Sequence, residues 1–231
     1  MLSRRKFLGG LVATGVAGCA SSPFNPSDPN STFNLVANTF KSKAPSPGDY
    51  PLTAAQIQSI PYATLGVRID RNPRAVMVLA TADGRSLQWA SADYVTLVTR
   101  DGWLLQTHGL HRDLAATRWR GAGTDPLRQF AQSGVVPSPG IYREIDLGHD
   151  DEHGIVVESR FVPGRDELIS IQGQEHRTVR IDEIADVPAW RLKMRNSFWV
   201  SPETGMVWRS RQQYCPEVLP IELEVLRPAA V

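Results

Sequence analysis

The stretch Ala75-Val76-Met77-Val78-Leu79-Ala80-Thr81-Ala82-Asp83-Gly84-Arg85-Ser86-Leu87-Gln88-Trp89-Ala90 decides the fold. An apolar run ends in Asp83-Gly84, a dipeptide that tolerates the left-handed backbone of a tight hairpin turn, and a second run begins at once. Tyr94–Thr99 and Trp103–Thr107 repeat the arrangement around Arg100-Asp101-Gly102. Connections this short cannot make a parallel crossover, so the four segments form an antiparallel meander. Thr64–Asp70 precedes them, with Leu65, Val67 and Ile69 alternating.

The second half reads the same way. Tyr142–Leu147, Ile155–Val162, Leu168–Gln172, Thr178–Ile181, Trp190–Val200, Met206–Tyr214 and Ile221–Leu226 are predicted strands, and Pro202-Glu203-Thr204-Gly205 turns the last long hairpin. Between the halves, Leu110–Ala116 and Asp125–Gln132 read as helical, the latter opened by Asp125-Pro126. Thr53 caps a further short helix over Ala54–Ile60 that ends before Pro61. The expected fold is mainly β: two packed antiparallel sheets, as a sandwich or a barrel-like body, with one or two short helices. Charged residues alternate along the strands, as in Arg143 and Asp146 or Arg191, Lys193 and Arg195. Strands that cross a membrane need an apolar lipid face, so this body is expected to lie in the periplasm and not within a bilayer.

Upstream of the body the sequence reads as an address. Residues 1–18 have a basic head, an uncharged apolar run over Phe7–Gly18 and small residues at the end, as an export signal does. Twelve residues, interrupted by Gly9, Gly10 and Gly15, are too few to span a hydrocarbon core, which takes roughly 20. Ser3-Arg4-Arg5-Lys6-Phe7-Leu8 resembles the twin-arginine motif of proteins exported folded, with Arg4 and Arg5 as its signature. Val16-Ala17-Gly18-Cys19 resembles a bacterial lipobox, which makes Cys19 the expected site of lipidation. Ala20 and Ser21 follow where an aspartate commonly retains a lipoprotein in the inner membrane, so that sorting rule implies the outer membrane. Residues 19–52, rich in Ser, Pro and Asn, are expected to tether the lipid to a single β-rich periplasmic domain over 53–231.

Composition narrows the function classes. The chain has 231 residues, 42% of them apolar, with 25 Lys+Arg against 24 Asp+Glu, as an ordinary globular protein does. Removing residues 1–18 deletes Arg4, Arg5 and Lys6 and no acid, which leaves 22 bases against 24 acids. Nucleic acid is therefore not an expected partner. Two cysteines exclude a disulfide scaffold and a four-thiolate zinc site. With Cys19 acylated, Cys215 is expected to be a small buried apolar residue.

No catalytic signature stands out. His149-Asp150-Asp151-Glu152-His153 holds five ligand-capable residues, but Gly148 and Gly154 flank it and a third distant ligand is lacking. It reads as a solvated hairpin turn, and His108 and His111 read as loop residues. No metal or other cofactor is expected. No Gly-x-Ser-x-Gly elbow occurs, and Gly121-Ala122-Gly123-Thr124 lacks the P-loop lysine. Arg118-Trp119-Arg120, placed in a loop between the halves, is the candidate for glycan contact, because an exposed indole stacks on a sugar ring. The plainer alternative is a tryptophan covering the edge of the core beside solvated arginines.

Pro61-Tyr62-Ala63-Thr64-Leu65-Gly66-Val67-Arg68 and Arg74-Ala75-Val76-Met77-Val78-Leu79-Ala80 resemble the GfcB/YjbF lipoproteins of group 4 capsule and related exopolysaccharide operons. The resemblance continues through Leu87-Gln88-Trp89 and Val95–Gly102, and returns at Arg195-Asn196-Ser197-Phe198-Trp199-Val200 and Gly205-Met206-Val207. It covers roughly residues 55–225. It implies an outer-membrane lipoprotein facing the periplasm, a non-enzymatic accessory in assembly or secretion of a surface polysaccharide. The expected partners are the membrane, through the lipid, and polysaccharide export components or the polysaccharide itself. A periplasmic glycan-binding module is the alternative, and a polysaccharide-modifying hydrolase a more distant one.

Overall fold

The computed structural model describes residues 50–120, 125–136, 141–148 and 152–230. The address residues Arg4, Arg5 and Cys19 lie outside them.

Among the described residues, five strands make a first meander: β1 (Thr64–Ile69), β2 (Ala75–Asp83), β3 (Ser86–Ala90), β4 (Thr96–Arg100) and β5 (Trp103–His108). Seven make a second: β6 (Leu114–Trp119), β7 (Ile141–Leu147), β8 (Ile155–Ile171), β9 (Gln174–Val187), β10 (Leu192–Val200), β11 (Val207–Gln212) and β12 (Ile221–Arg227). The two halves are not two sheets. β1 pairs antiparallel with β12, Leu65 opposite Val225 and Ile69 opposite Ile221, so all twelve strands join in one sheet. Its outermost strands, β5 and β6, come together and nearly close a barrel. They meet through side chains: Gln106 Nε2 donates to Ala115 O at 3.1 Å and the Leu114 amide to Thr107 Oγ1 at 2.8 Å. The expected mainly β, barrel-like body therefore stands, while the pair of separate sheets gives way to one curled sheet.

Alternation on β12 shows how the sheet is filled. Ile221 and Leu223 are buried in the interior core, with Val225 packed against it, whereas Glu222, Glu224 and Leu226 face the other side. A second interior cluster gathers Trp103, Phe161, Ile181 and Phe198 with Leu127 and Phe130 of a short helix. Trp103 crosses Phe198 at 4.5 Å and Trp119 at 4.9 Å between ring centres.

Two of the three expected helices form, and their caps explain why. Thr53 and Gln56 make a reciprocal capping box at the start of α1 (Ala54–Ser59). Asp125 accepts from the Leu127 and Arg128 amides at the start of α2 (Pro126–Ser133), and Gly134 ends it in the left-handed region.

Four expectations are corrected. Leu110–Ala116 is not helical. The Asp113 carboxylate accepts from the Gly109 and Leu110 amides and from Thr107 Oγ1, which sets a turn, and the chain leaves it as strand β6. Arg118-Trp119-Arg120 therefore sits at the end of a strand and not in a long loop. Ile155–Val162 and Leu168–Gln172 are one 17-residue strand, and Thr178–Ile181 is the middle of 14-residue β9. The pairing shifts between Pro163 and Asp166, and Gly164 lies against the Arg180 carbonyl. The far part of this hairpin extends as an arm across the outside of the sheet, where Ile169 and Ile171 pack with Leu52, Ile57, Val76 and Leu226. Tyr50–Leu52, which composition groups with the tether, belong to this outer core. Gly66 leaves the space that Tyr50 fills, since a Cβ there would overlap its ring.

Candidate functional site

The strand ends nearest Thr64 form one rim of the barrel. The turns at Asp83–Ser86, Arg100–Trp103 and Val200–Val207 meet there with the segment that follows β12. Helix α2 covers half of this rim, with Ala131 so close to Gly205 that a Cβ on Gly205 would meet it at 2.5 Å. The other half is open and leads into a cavity of about 390 Å³ inside the barrel. Leu65, Leu87, Leu223 and Val225 line its wall with Trp89. Trp89 Nε1 donates to Thr99 Oγ1 at 2.8 Å, and Gln212 Nε2 to Ser210 Oγ at 2.8 Å. At the edge, Arg85 Nη1 stands 2.7 Å from Asp101 Oδ2, with the arginine side chain 46% exposed. Gly102 permits this turn at φ +86°, and a Cβ there would strike Val207.

Deeper in the barrel lies a buried polar network. Arg143 bonds Glu183 and donates to Ser159 Oγ at 2.7 Å. Asn196 Nδ2 donates to Glu183 Oε2 at 2.7 Å, and Asn196 Oδ1 accepts from the Gln213 amide at 2.7 Å. The Arg143 guanidinium also stands over the rings of Trp103 and Trp119, at 5.3 and 5.7 Å. Beside it a cavity of about 20 Å³ adjoins Thr117, whose Oγ1 is buried without a hydrogen-bond partner among the described residues. Such a volume suits one water molecule. Nearby, burial pushes the Asp125 carboxyl up, against the bonds it accepts from Trp103 Nε1 and two amides.

Outside the barrel a second network sits beneath the arm. Arg74 reaches Glu222 at 2.5 Å and Glu224 at 3.0 Å, Arg68 reaches Glu222 at 2.8 Å, and Arg209 Nε donates to Glu224 at 2.6 Å. The Tyr50 hydroxyl donates to Glu224. Burial and the neighbouring Glu224 hold that hydroxyl far above its ordinary range. Burial works against ionisation of Glu222, but Arg74 and Arg68 outweigh it and hold the carboxyl below its usual range. Trp199 lies between the guanidinium groups of Arg180 and Arg209 and donates Nε1 to Glu167 at 2.6 Å.

The sequence candidates fall elsewhere. Trp119 is half-buried with its ring against Trp103, while Arg118 and Arg120 point out and pair with Asp146 (2.5 Å) and Glu144 on β7. His149 lies outside the described residues. His153 is exposed, 3.9 Å from Asp146, and His108 is 3.8 Å from Asp113. Among the described residues no group of three or more His, Cys, Asp or Glu is placed to hold a metal ion. Cys215 is fully buried, and burial pushes its thiol up to about 11. Sequence reasoning missed the rim cavity and both networks. Arg143 and Glu183 are 40 residues apart and Tyr50 and Glu224 are 174 apart, so no spacing announces them.

Comparison with known proteins adds the family. The family described as group 4 capsule polysaccharide lipoprotein GfcB, YjbF matches residues 35–226, which include all twelve strands except the last residue of β12. The uncharacterized lipoprotein GfcB of Escherichia coli K12 is 28% identical over 230 residues, covering 95% of this chain and 96% of its own. The uncharacterized lipoprotein YjbF of the same organism is 24% identical over 179 residues, 77% of this chain and 81% of its own. The crystal structure of the hypothetical lipoprotein YmcC from E. coli K12 superposes with a TM-score of 0.71 at 27% identity, covering 87% of this chain and 98% of that one.

Proposed function

The chain belongs to the GfcB/YjbF family of group 4 capsule polysaccharide lipoproteins, and from that membership we propose a non-enzymatic accessory role in assembly or secretion of a capsule or exopolysaccharide. The observation that carries the proposal is the extent of the likeness, which runs through nearly the whole barrel and most of its length in the relatives. Cys19 is the lipid site in this reading, Arg4 and Arg5 mark the export route, and the barrel faces the periplasm from the outer membrane. Among the described residues no helix is long and apolar enough to cross a membrane.

The arginine pairing of the buried carboxylates fits a role without turnover. Glu183, Glu222 and Glu224 are each tied to arginine, and Asp101 at the rim is tied to Arg85. A carboxyl held ionised by arginine, as Glu222 is, makes a poor general acid. Deletion of the gene is expected to change the amount or chain length of cell-associated and secreted polysaccharide under producing conditions. Unchanged polysaccharide overturns the role.

A second reading is a glycan-binding module at Arg118, Trp119 and Arg120. The outward direction of both arginines favours it, although a ligand must displace Asp146 and Glu144 to use them. Titration of the protein with the native polysaccharide tests it, and binding equal in Trp119→Ala removes the site.

A further inference from the structure

We propose that the open half of the barrel rim binds one flexible apolar chain of an amphiphile whose anionic head rests on Arg85. The inference stands on the cavity itself and does not depend on the accessory role. At about 390 Å³ the cavity is within the size range of small-molecule sites. Its chemistry is graded along its depth. The inner wall is built from side chains such as Leu65, Leu87, Leu223 and Val225. The two hydroxyls beside them each already accept a bond, Thr99 from the Trp89 indole and Ser210 from Gln212. A sugar ring placed at that depth would lose hydration from its hydroxyls with few replacement bonds, a cost that an alkyl chain does not incur.

Charge appears only at the edge. The Arg85 guanidinium is half exposed, and Asp101 satisfies one side of it, which leaves the outer donors free to meet a carboxylate or phosphate. The rim also has an asymmetric cover. Helix α2 closes one half with Leu127 and Phe130, whereas the open half is bordered by the short segment Pro228–Ala229. A chain is thus offered one way in, beside Arg85.

An acyl lipid and an isoprenoid phosphate share this chemistry, and the two are separated by the probes. The full chain carrying Cys19→Ser, which removes any lipid of its own, is titrated calorimetrically with dodecanoate and with farnesyl phosphate, each below its micelle concentration. Saturable 1:1 binding of at least one probe is expected, and the tighter probe identifies the source. Val225→Trp fills the cavity from the sheet and Ala229→Trp fills it from the terminal segment. Each is expected to weaken binding at least tenfold while leaving the circular dichroism melt cooperative. Arg85→Ala is expected to weaken both anionic probes several-fold and to leave dodecanol unchanged. Absence of saturable binding by either probe overturns the proposal. So does binding that is equal in wild type and in a folded Val225→Trp or Ala229→Trp variant.

Discussion

Two arginine–glutamate networks in this molecule use the same side chains and differ in what buries them. Arg143–Glu183 is enclosed by the barrel itself, with side-chain exposures of 7% and 0%. Arg68, Arg74 and Arg209 bind Glu222 and Glu224 on the outer face, where exposures run from 3% to 28%. There the cover comes from Tyr50 and from the arm of the β8–β9 hairpin, whose Ser170 carbonyl accepts from Arg209. The interior pair cannot regain water without opening the barrel. The outer one is rehydrated when a single arm or a few residues lift. Burial by the whole fold and burial by an appendage therefore give the same chemistry different energetic weight.

Removing one partner of the interior pair is the strongest way to break that comparison. Glu183→Ala strands the Arg143 guanidinium and removes an acceptor from Ser159 and Asn196. A loss of about 3–5 kcal/mol is expected in urea unfolding, as for an uncompensated buried charge. Arg143→Met with Glu183→Leu removes both charges and is expected to cost markedly less than Glu183→Ala alone. If the single change costs no more than the double, the barrel does not isolate the pair from water.

Glu224→Ala is the outer counterpart and is expected to cost about 1.5–3 kcal/mol, because it deletes bonds from charged Arg74 and Arg209 and from Tyr50. Limited proteolysis should report loosening near Tyr50 and the arm in this variant and not in Glu183→Ala below its unfolding midpoint. The outer network also has a pH signature. Glu222 is held below its ordinary value of 4.5, so its contribution is present above that pH and is lost as pH falls through the lower folded value. The acid limb of the stability profile is expected to flatten in Glu222→Gln, and an unchanged limb counts against the pairing with Arg74.

Smaller effects sharpen the appendage side. Thr53→Ala removes the capping box of α1, which carries Ile57 into the outer core, at an expected cost of about 1 kcal/mol. Arg118→Ala breaks an ion pair whose arginine is 53% exposed, and a change below about 1 kcal/mol is expected by thermal melting. A larger value there would show that Arg118 supports Trp119 and not only Asp146.

Much of the secondary structure was legible in the sequence. Asp83-Gly84 and Asp101-Gly102 mark their turns, with both glycines at positive φ, and Thr53 and Asp125 open their helices. The errors arose where side chains override local preference. Leu110–Ala116 contains good helix formers, but the Asp113 carboxylate gathers two amides and a hydroxyl into a turn. Ile155–Val162 and Leu168–Gln172 read as separate strands, but pairing with β9 resumes at Asp166, so the hairpin bends there and continues. Of the candidate site, Arg118 and Arg120 were legible as polar exposure, whereas the direction of Trp119 depended on Trp103 and Arg143 from other strands.

The sequence by itself determined the elements whose signals lie within a few residues: the tight turns, the helix caps, the alternation of each strand and the likeness to a lipoprotein family. Only the tertiary structure decided that two meanders share one sheet through β1 and β12, that Arg143 meets Glu183, and that half of one rim remains open above an apolar cavity. The physical reason is range. Turns and caps are set by backbone sterics and hydrogen bonds between near neighbours, which residue type encodes directly. Closure, buried pairing and cavities depend on register between strands up to 163 residues apart, and many sequences with the same local pattern satisfy them differently.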